Sequence, residues 1–149
     1  MILATRIAVL GLLAGLLTGC ATGPKYEEVR GGFATLPADQ GRIYFFRSSN
    51  PFGSGIQPSV MLNGEKVGDS QPGGFFFVDR APGNYEVNLT TEVERKLTFT
   101  LESGQEQYVR MSVGLGVLVY RVYPELVDKK TGEEELKGLS HIGKTGPAK

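Results

Sequence analysis

The sequence predicts an all-β fold, a small antiparallel β-sandwich of about seven or eight strands. Three observations predict it. Short runs rich in β-branched and aromatic residues recur from Arg42 onward, several of them alternate apolar and polar residues with a period of two, and Gly, Pro and Asn clusters separate them at near-regular spacing. Many short strands punctuated in this way are the pattern of a sandwich rather than of a helical or α/β domain.

Arg42-Ile-Tyr-Phe-Phe-Arg47 is the first β-rich run, and the turn cluster Ser48-Ser49-Asn50-Pro51 ends it. Pro58 to Leu62 is a second short strand. Asn63-Gly64 readily takes the positive φ values of a type I′ turn, so Glu65 to Gly68 folds back as a hairpin partner. Phe75 to Val78 follows the turn Pro72-Gly73-Gly74. Pro82-Gly83-Asn84 launches Tyr85 to Leu89, where Tyr85, Val87 and Leu89 alternate with polar neighbours, as in a strand with one packed and one wet face. Leu97, Phe99 and Leu101 alternate again before the turn Ser103-Gly104. Val109, Met111 and Val113 lie on the face opposite Tyr108, Arg110 and Ser112, and Gly114-Leu115-Gly116 breaks the chain before Val117 to Val122. Residues 128–140 are the one helical candidate, a short C-terminal helix interrupted by Gly132 and Gly138.

These elements divide the chain into residues 1–19, a flexible segment 20–41, a β-sandwich domain 42–140 and a frayed tail 141–149. Residues 21–41 show no period of two or of 3.6 and are expected to form a tether of typical span ~5–6 Å × √n. At the start, Arg6 supplies a positive charge and Ile7 to Leu17 an unbroken apolar and small-residue run. That run has 11 residues, against about 20 for a membrane-crossing helix, which makes it a secretory signal rather than a span.

Leu17-Thr18-Gly19-Cys20 resembles the lipobox of bacterial lipoproteins, and Cys20 is the only cysteine. The resemblance implies that the Cys20 thiolate gains a diacylglyceryl thioether and that a signal peptidase cuts between Gly19 and Cys20. It implies a lipid-anchored protein of the cell envelope. Ala21 after the cysteine favours the periplasmic face of the outer membrane if the species is Gram-negative. One acyl chain holds a protein only marginally, and two or more hold it stably. With its sole cysteine at the anchor, the mature chain would have no disulfide.

Over about Gly41 to Leu139, the ordered set Gly41-Arg-Ile-Tyr-Phe-Phe-Arg47, Asn63-Gly64, Phe75-Phe76, Ala81-Pro82-Gly83-Asn84-Tyr85, Ser103-Gly104-Gln105 and Tyr108-Val109-Arg110 resembles a bacterial family. That family is known as domain of unknown function 2846. The Ala-Pro-Gly-Asn-Tyr turn is also similar to PEGA-type and transthyretin-like accessory domains, both small β-sandwiches. Neither resemblance carries catalytic residues.

The chemistry-bearing residues point the same way. The 16 basic and 16 acidic residues cancel, so no basic excess exists to drive nucleic-acid binding. His141 is the only histidine, with no Gly-x-Ser-x-Gly elbow near Ser140, and is expected to be solvated in the tail. Gly53-Ser54-Gly55 and Gly114-Leu115-Gly116 precede strand-like runs, not helices, and read as turns rather than phosphate cradles. Glu133, Glu134 and Glu135 lie among lysines as a solvated mixed-charge segment. No metal, cofactor or catalytic residue is expected.

Aromatic residues offer the remaining candidate. Adjacent strand residues point to opposite faces, so Phe76 faces away from Phe75 and Phe77, and the domain has a second aromatic face. That face is either covered by the tether or C-terminal segment or exposed to a partner. Tyr44, Phe52 and Phe76 are the candidate contact surface. The expected function is that of a non-enzymatic, lipid-anchored envelope protein acting through protein–protein contacts. The alternative is a small-ligand or glycan-binding lipoprotein using the 48–57 loop.

Overall fold

The computed structural model describes residues 20–90, 95–116 and 119–144. The expected signal segment 1–19 with Gly19, and the last five residues of the expected tail, lie outside the described residues. Nine strands form two sheets packed as a sandwich. They are β1 (Gly41–Phe46), β2 (Ser59–Leu62), β3 (Glu65–Asp69), β4 (Gly74–Arg80), β5 (Gly83–Leu89), β6 (Leu97–Leu101), β7 (Glu106–Leu115), β8 (Tyr120–Val127) and β9 (Ser140–His141). Two short helices, α1 (Tyr26–Val29) and α2 (Lys129–Leu136), flank them.

One sheet has the order β8-β7-β1-β4-β9 and the other β3-β2-β5-β6. The smaller sheet is antiparallel throughout, and its β2–β3 hairpin turns at Asn63 (φ 49°) and Gly64 (φ 82°), the conformation expected of Asn-Gly. The larger sheet is mixed: β1 pairs parallel with β7, and β4 parallel with β9. A parallel pair needs a long crossover, and the four strands of the smaller sheet together with β4 make up the one between β1 and β7.

Between the sheets lies the main core, with Ile43, Phe45, Phe76, Val60, Val87 and Val109 among its residues. The outer face of the larger sheet carries a second core of Tyr44, Phe46, Phe75, Phe77 and Tyr108. β1 is therefore buried along its whole length on both faces. Its aromatic residues at both parities are what such a strand requires.

The second face is covered by both ends of the chain. Residues 21–41 are not a free tether: Tyr26 and Val29 are buried, and Phe33 packs against the same face. The Phe33 ring meets Phe77 edge-on at 4.8 Å, and Tyr26 meets Phe75 at 5.4 Å. Backbone bonds fix this strap to β9, with His141 N donating to Pro24 O (2.8 Å) and Tyr26 N to Leu139 O (2.9 Å). Gly23 allows the close approach, since a Cβ there would lie 1.8 Å from the His141 carbonyl oxygen. At the far end of the strap, Arg42 donates to both Asp79 carboxylate oxygens (2.7 and 2.8 Å) and to Ala34 O (2.9 Å), with its guanidinium 4.2 Å above the Phe77 ring.

Helix α2 completes the cover within the expected 128–140 segment. Asp128 caps it, accepting from Thr131 N at 3.0 Å. Gly132 lies against Tyr108 on β7, and a Cβ there would lie 2.3 Å from that ring. Helix propensity alone makes Gly132→Ala stabilising by about 0.5–1 kcal/mol. The ring contact reverses the sign: the variant is expected to lose about 1–3 kcal/mol, as in overpacked cores. Urea denaturation of the two forms measures which term prevails.

Candidate functional site

The expected contact surface resolves into one exposed and two buried residues. Tyr44 stacks on Tyr108 at 5.1 Å beneath the strap, and burial pushes its phenol up to about 12. Phe76 stacks on Phe45 at 5.0 Å in the core between the sheets. Both are closed to a partner, because β1 and β4 are central strands with cover on each side. Phe52 is 58% exposed and remains available. Cys20 is exposed and unpaired, next to Ala21, whose N–H donates to Pro72 O at 3.0 Å.

His141 is not solvated. It is buried among Phe33, Phe75 and Phe77, with ring centroids 5.2–6.2 Å away, and its Nε2 has no hydrogen-bond partner. Burial lowers its pKa from the usual imidazole value. No local pattern around His141 signals this, since the burial comes from pairing of β9 with β4 and from the strap.

Arg47, directly after β1, is fully buried. Its guanidinium donates to the carbonyl oxygens of Ile56 (2.6 Å), Gly53 (2.7 Å) and Ser70 (3.1 Å), and burial lowers its pKa. No carboxylate among the described residues balances it, and its Nε is unpartnered. Three carbonyl dipoles thus hold a buried cation and tie the 48–57 loop and the Ser70 turn to the end of β1. A guanidinium's fork of donors can serve three acceptors at once, which an ammonium on a flexible stem does less well.

These loops lie at one end of the sandwich, called here the upper end, where β1 finishes and β4 begins. β7 runs parallel to β1 and continues beyond it, from Arg110 opposite Phe46 to Leu115 opposite Tyr120 on β8. The Phe52 and Tyr120 rings meet there at 5.6 Å. Leu115 is 77% exposed and Val119 55%, so an apolar group crowns this end. Beside it, Arg95, Gly114, Arg121 and Tyr123 line a hollow of about 390 Å³, with the Arg95 guanidinium 5.0 Å above the Tyr123 ring.

A second, more polar hollow of about 580 Å³ lies on the outer face of β7 and β8, lined by Ser48, Asn50, Ser112, Tyr123 and charged neighbours. Its charges satisfy one another. Arg110 bonds Glu125 (Nε to Oε1, 2.6 Å) and Glu135 (2.5 Å), and Ser112 donates to Glu125 at 2.8 Å. The pairing raises the Arg110 pKa and lowers that of Glu125, against the opposing effect of burial. This network joins α2 to the sheet and pairs Glu125 and Glu135 within the hollow. Among the described residues no group of three or more His, Cys, Asp and Glu could hold a metal.

A family model described as protein of unknown function (DUF2846) matches residues 37–122, from just before β1 into β8. Residues 21–36 of the strap, α2 and β9 lie outside that match. No curated protein and no solved structure matches the chain.

Two outcomes follow from the buried cations and imidazole. Arg47→Met leaves three carbonyls without their donor, and leaving even one buried acceptor unsatisfied costs about 1–3 kcal/mol. The variant should lose at least that stability, with faster hydrogen exchange at the Ile56 amide, which bonds Gly53 O. For His141, the folded form holds the imidazole neutral with a lowered pKa, so the unfolded chain takes up the proton first. Stability should therefore fall as pH drops below the unfolded value of about 6.5. His141→Phe should flatten that decline in thermal melts between neutral and mildly acidic pH.

Proposed function

We propose the following reading of a chain that belongs to the DUF2846 family of proteins of unknown function: it is a non-enzymatic, lipid-anchored protein of the bacterial cell envelope, acting through protein–protein contacts. The single observation that carries it is Cys20. It closes the Leu17-Thr18-Gly19-Cys20 sequence, is the only cysteine, and stands exposed beside Ala21, whose N–H bonds Pro72 O. A thiol in that position is reachable by a lipid donor without disturbing the domain. Ala21 after it favours the periplasmic face of the outer membrane in a Gram-negative cell.

The state of the other reactive groups supports a role without catalysis. The one histidine is enclosed by aromatic rings, and the carboxylates of the hollow on β7 and β8 are bonded to Arg110. The ligand-binding alternative would use that same hollow with Ser48 and Asn50 from the 48–57 loop. Its open shape and internally paired charges favour a contact role over capture of a small molecule. A sugar or other compound that co-purifies with the protein and is lost on mutation of Ser112 would support the alternative instead.

In-cell crosslinking with mass spectrometry tests the contact role, which one abundant envelope partner would support and a bound metabolite without any partner would refute. For the anchor, Cys20→Ser should abolish lipid attachment and leave residues 1–19 uncleaved. A mature wild-type mass without acyl chains, or normal processing of the variant, refutes it.

A further inference from the structure

We infer that the upper end of the sandwich is a membrane-contact surface, with Phe52, Leu115, Val119 and Tyr120 in the interfacial layer of the bilayer and Arg95 and Arg121 against lipid phosphates. The inference rests on the anchor proposed at Cys20 and specifies how the domain sits beneath it.

Four observations carry it. The first is the absence of slack: Ala21, the residue after the anchor, is already bonded to Pro72, whereas a free segment of some twenty residues would stand the domain off by about 25 Å. The second is continuity. Pro72 adjoins Gly73, whose N–H donates to Arg47 O, Arg47 holds Gly53 O, and a Cβ at Gly53 would lie 3.4 Å from the Tyr120 side chain. The anchor point and the apolar group therefore lie at the same end of the sandwich.

The third is reach. β7 continues five residues past the level of Phe46, an overhang of at most about 16 Å at the rise of an extended strand. An upright domain held at Cys20 directs that hairpin toward the bilayer. The fourth is chemistry. Aromatic rings with one apolar and one polar edge favour the membrane interface, and exposed aliphatic side chains lose contact with water there. A guanidinium matches a phosphate in both charge and geometry. The described residues place no carboxylate against Arg121 or Arg95, and both line the hollow beside the hairpin.

The chain contains no tryptophan, so a single introduced one reports its own surroundings. Full-length protein carrying Phe52→Trp or Val119→Trp, matured in bacterial cells, is reconstituted in vesicles of equimolar phosphatidylethanolamine and phosphatidylglycerol. Ser103→Trp, in the turn at the opposite end, is the comparison. Acyl-brominated lipid should blue-shift and quench the tryptophan at 52 and 119 and leave that at 103 unchanged. Adding Leu115→Asp to Val119→Trp should weaken the quenching, with circular dichroism showing that the exposed substitutions leave the fold intact. The mass of the same preparations reads the anchor separately. Without acyl chains on Cys20 the anchor fails, and this orientation falls with it. With acyl chains present but 52 and 119 quenched no more than 103, the orientation alone is overturned. So too if position 119 crosslinks in cells to an envelope protein while remaining unquenched in vesicles.

Discussion

Strand β1 is buried on both faces, and the sheet around it needs cover on two sides. The smaller sheet supplies one cover, through the Phe45–Phe76 stack and the aliphatic residues around it. For the other, the described residues form no third sheet. The chain brings its own ends: the strap from the N-terminal side, and α2 with β9 from the C-terminal side. Burying aromatic side chains is among the largest gains available to a domain of this size without disulfides. Tyr44, Phe46, Phe75 and Phe77 together make exposure of that face untenable.

The same constraint determines what is left for function. Residues that cover β1 are spent on packing, including the only histidine and most aromatics of the chain. The outer surface of β7 and β8 is occupied by the Arg110–Glu125–Glu135 network, which joins the helix to the sheet. Arg47 holds the loops at the end of β1 by three carbonyl contacts, so the upper end is shaped by a buried charge rather than by a hydrophobic plug. Around the β7–β8 hairpin, Phe52 meets Tyr120 and two arginines line a hollow.

Local features of the fold were legible in the sequence. Asn63-Gly64 has turn chemistry that allows few alternatives, and the alternation through β5, β6 and β7 exposes one face of each strand. Asp128 caps a helix within the expected segment despite Gly132, because the glycine is needed against Tyr108. Long-range pairing was not legible. Nothing in Arg42 to Arg47 or Glu106 to Leu115 announces that these strands lie parallel and adjacent. Tyr26, Val29 and Phe33 are apolar at helical spacing, yet three residues in a Gly- and Pro-rich segment are too few to establish a period. Without the strap and β9 in view, Tyr44 could be read as accessible and His141 as solvated. Phe76 was placed correctly on the face opposite Phe75 and Phe77, but which face was the sandwich interior depended on the other sheet.

Closure of the outer face by the two chain ends also orders the events of folding. Pro24 bonds to His141 across nearly the entire length of the polypeptide, so the entropy of closing that loop is met only when the last strand is present. Until Ser140 and His141 reach β4, the strap lacks the backbone partners at Leu139 and His141 that hold Pro24 and Tyr26 beside the rings of Phe75 and Phe77. A chain emerging N-terminus first would thus carry this aromatic surface from the synthesis of Phe77 until that of His141. The completed domain behaves as a closed ring, with its start and finish held side by side.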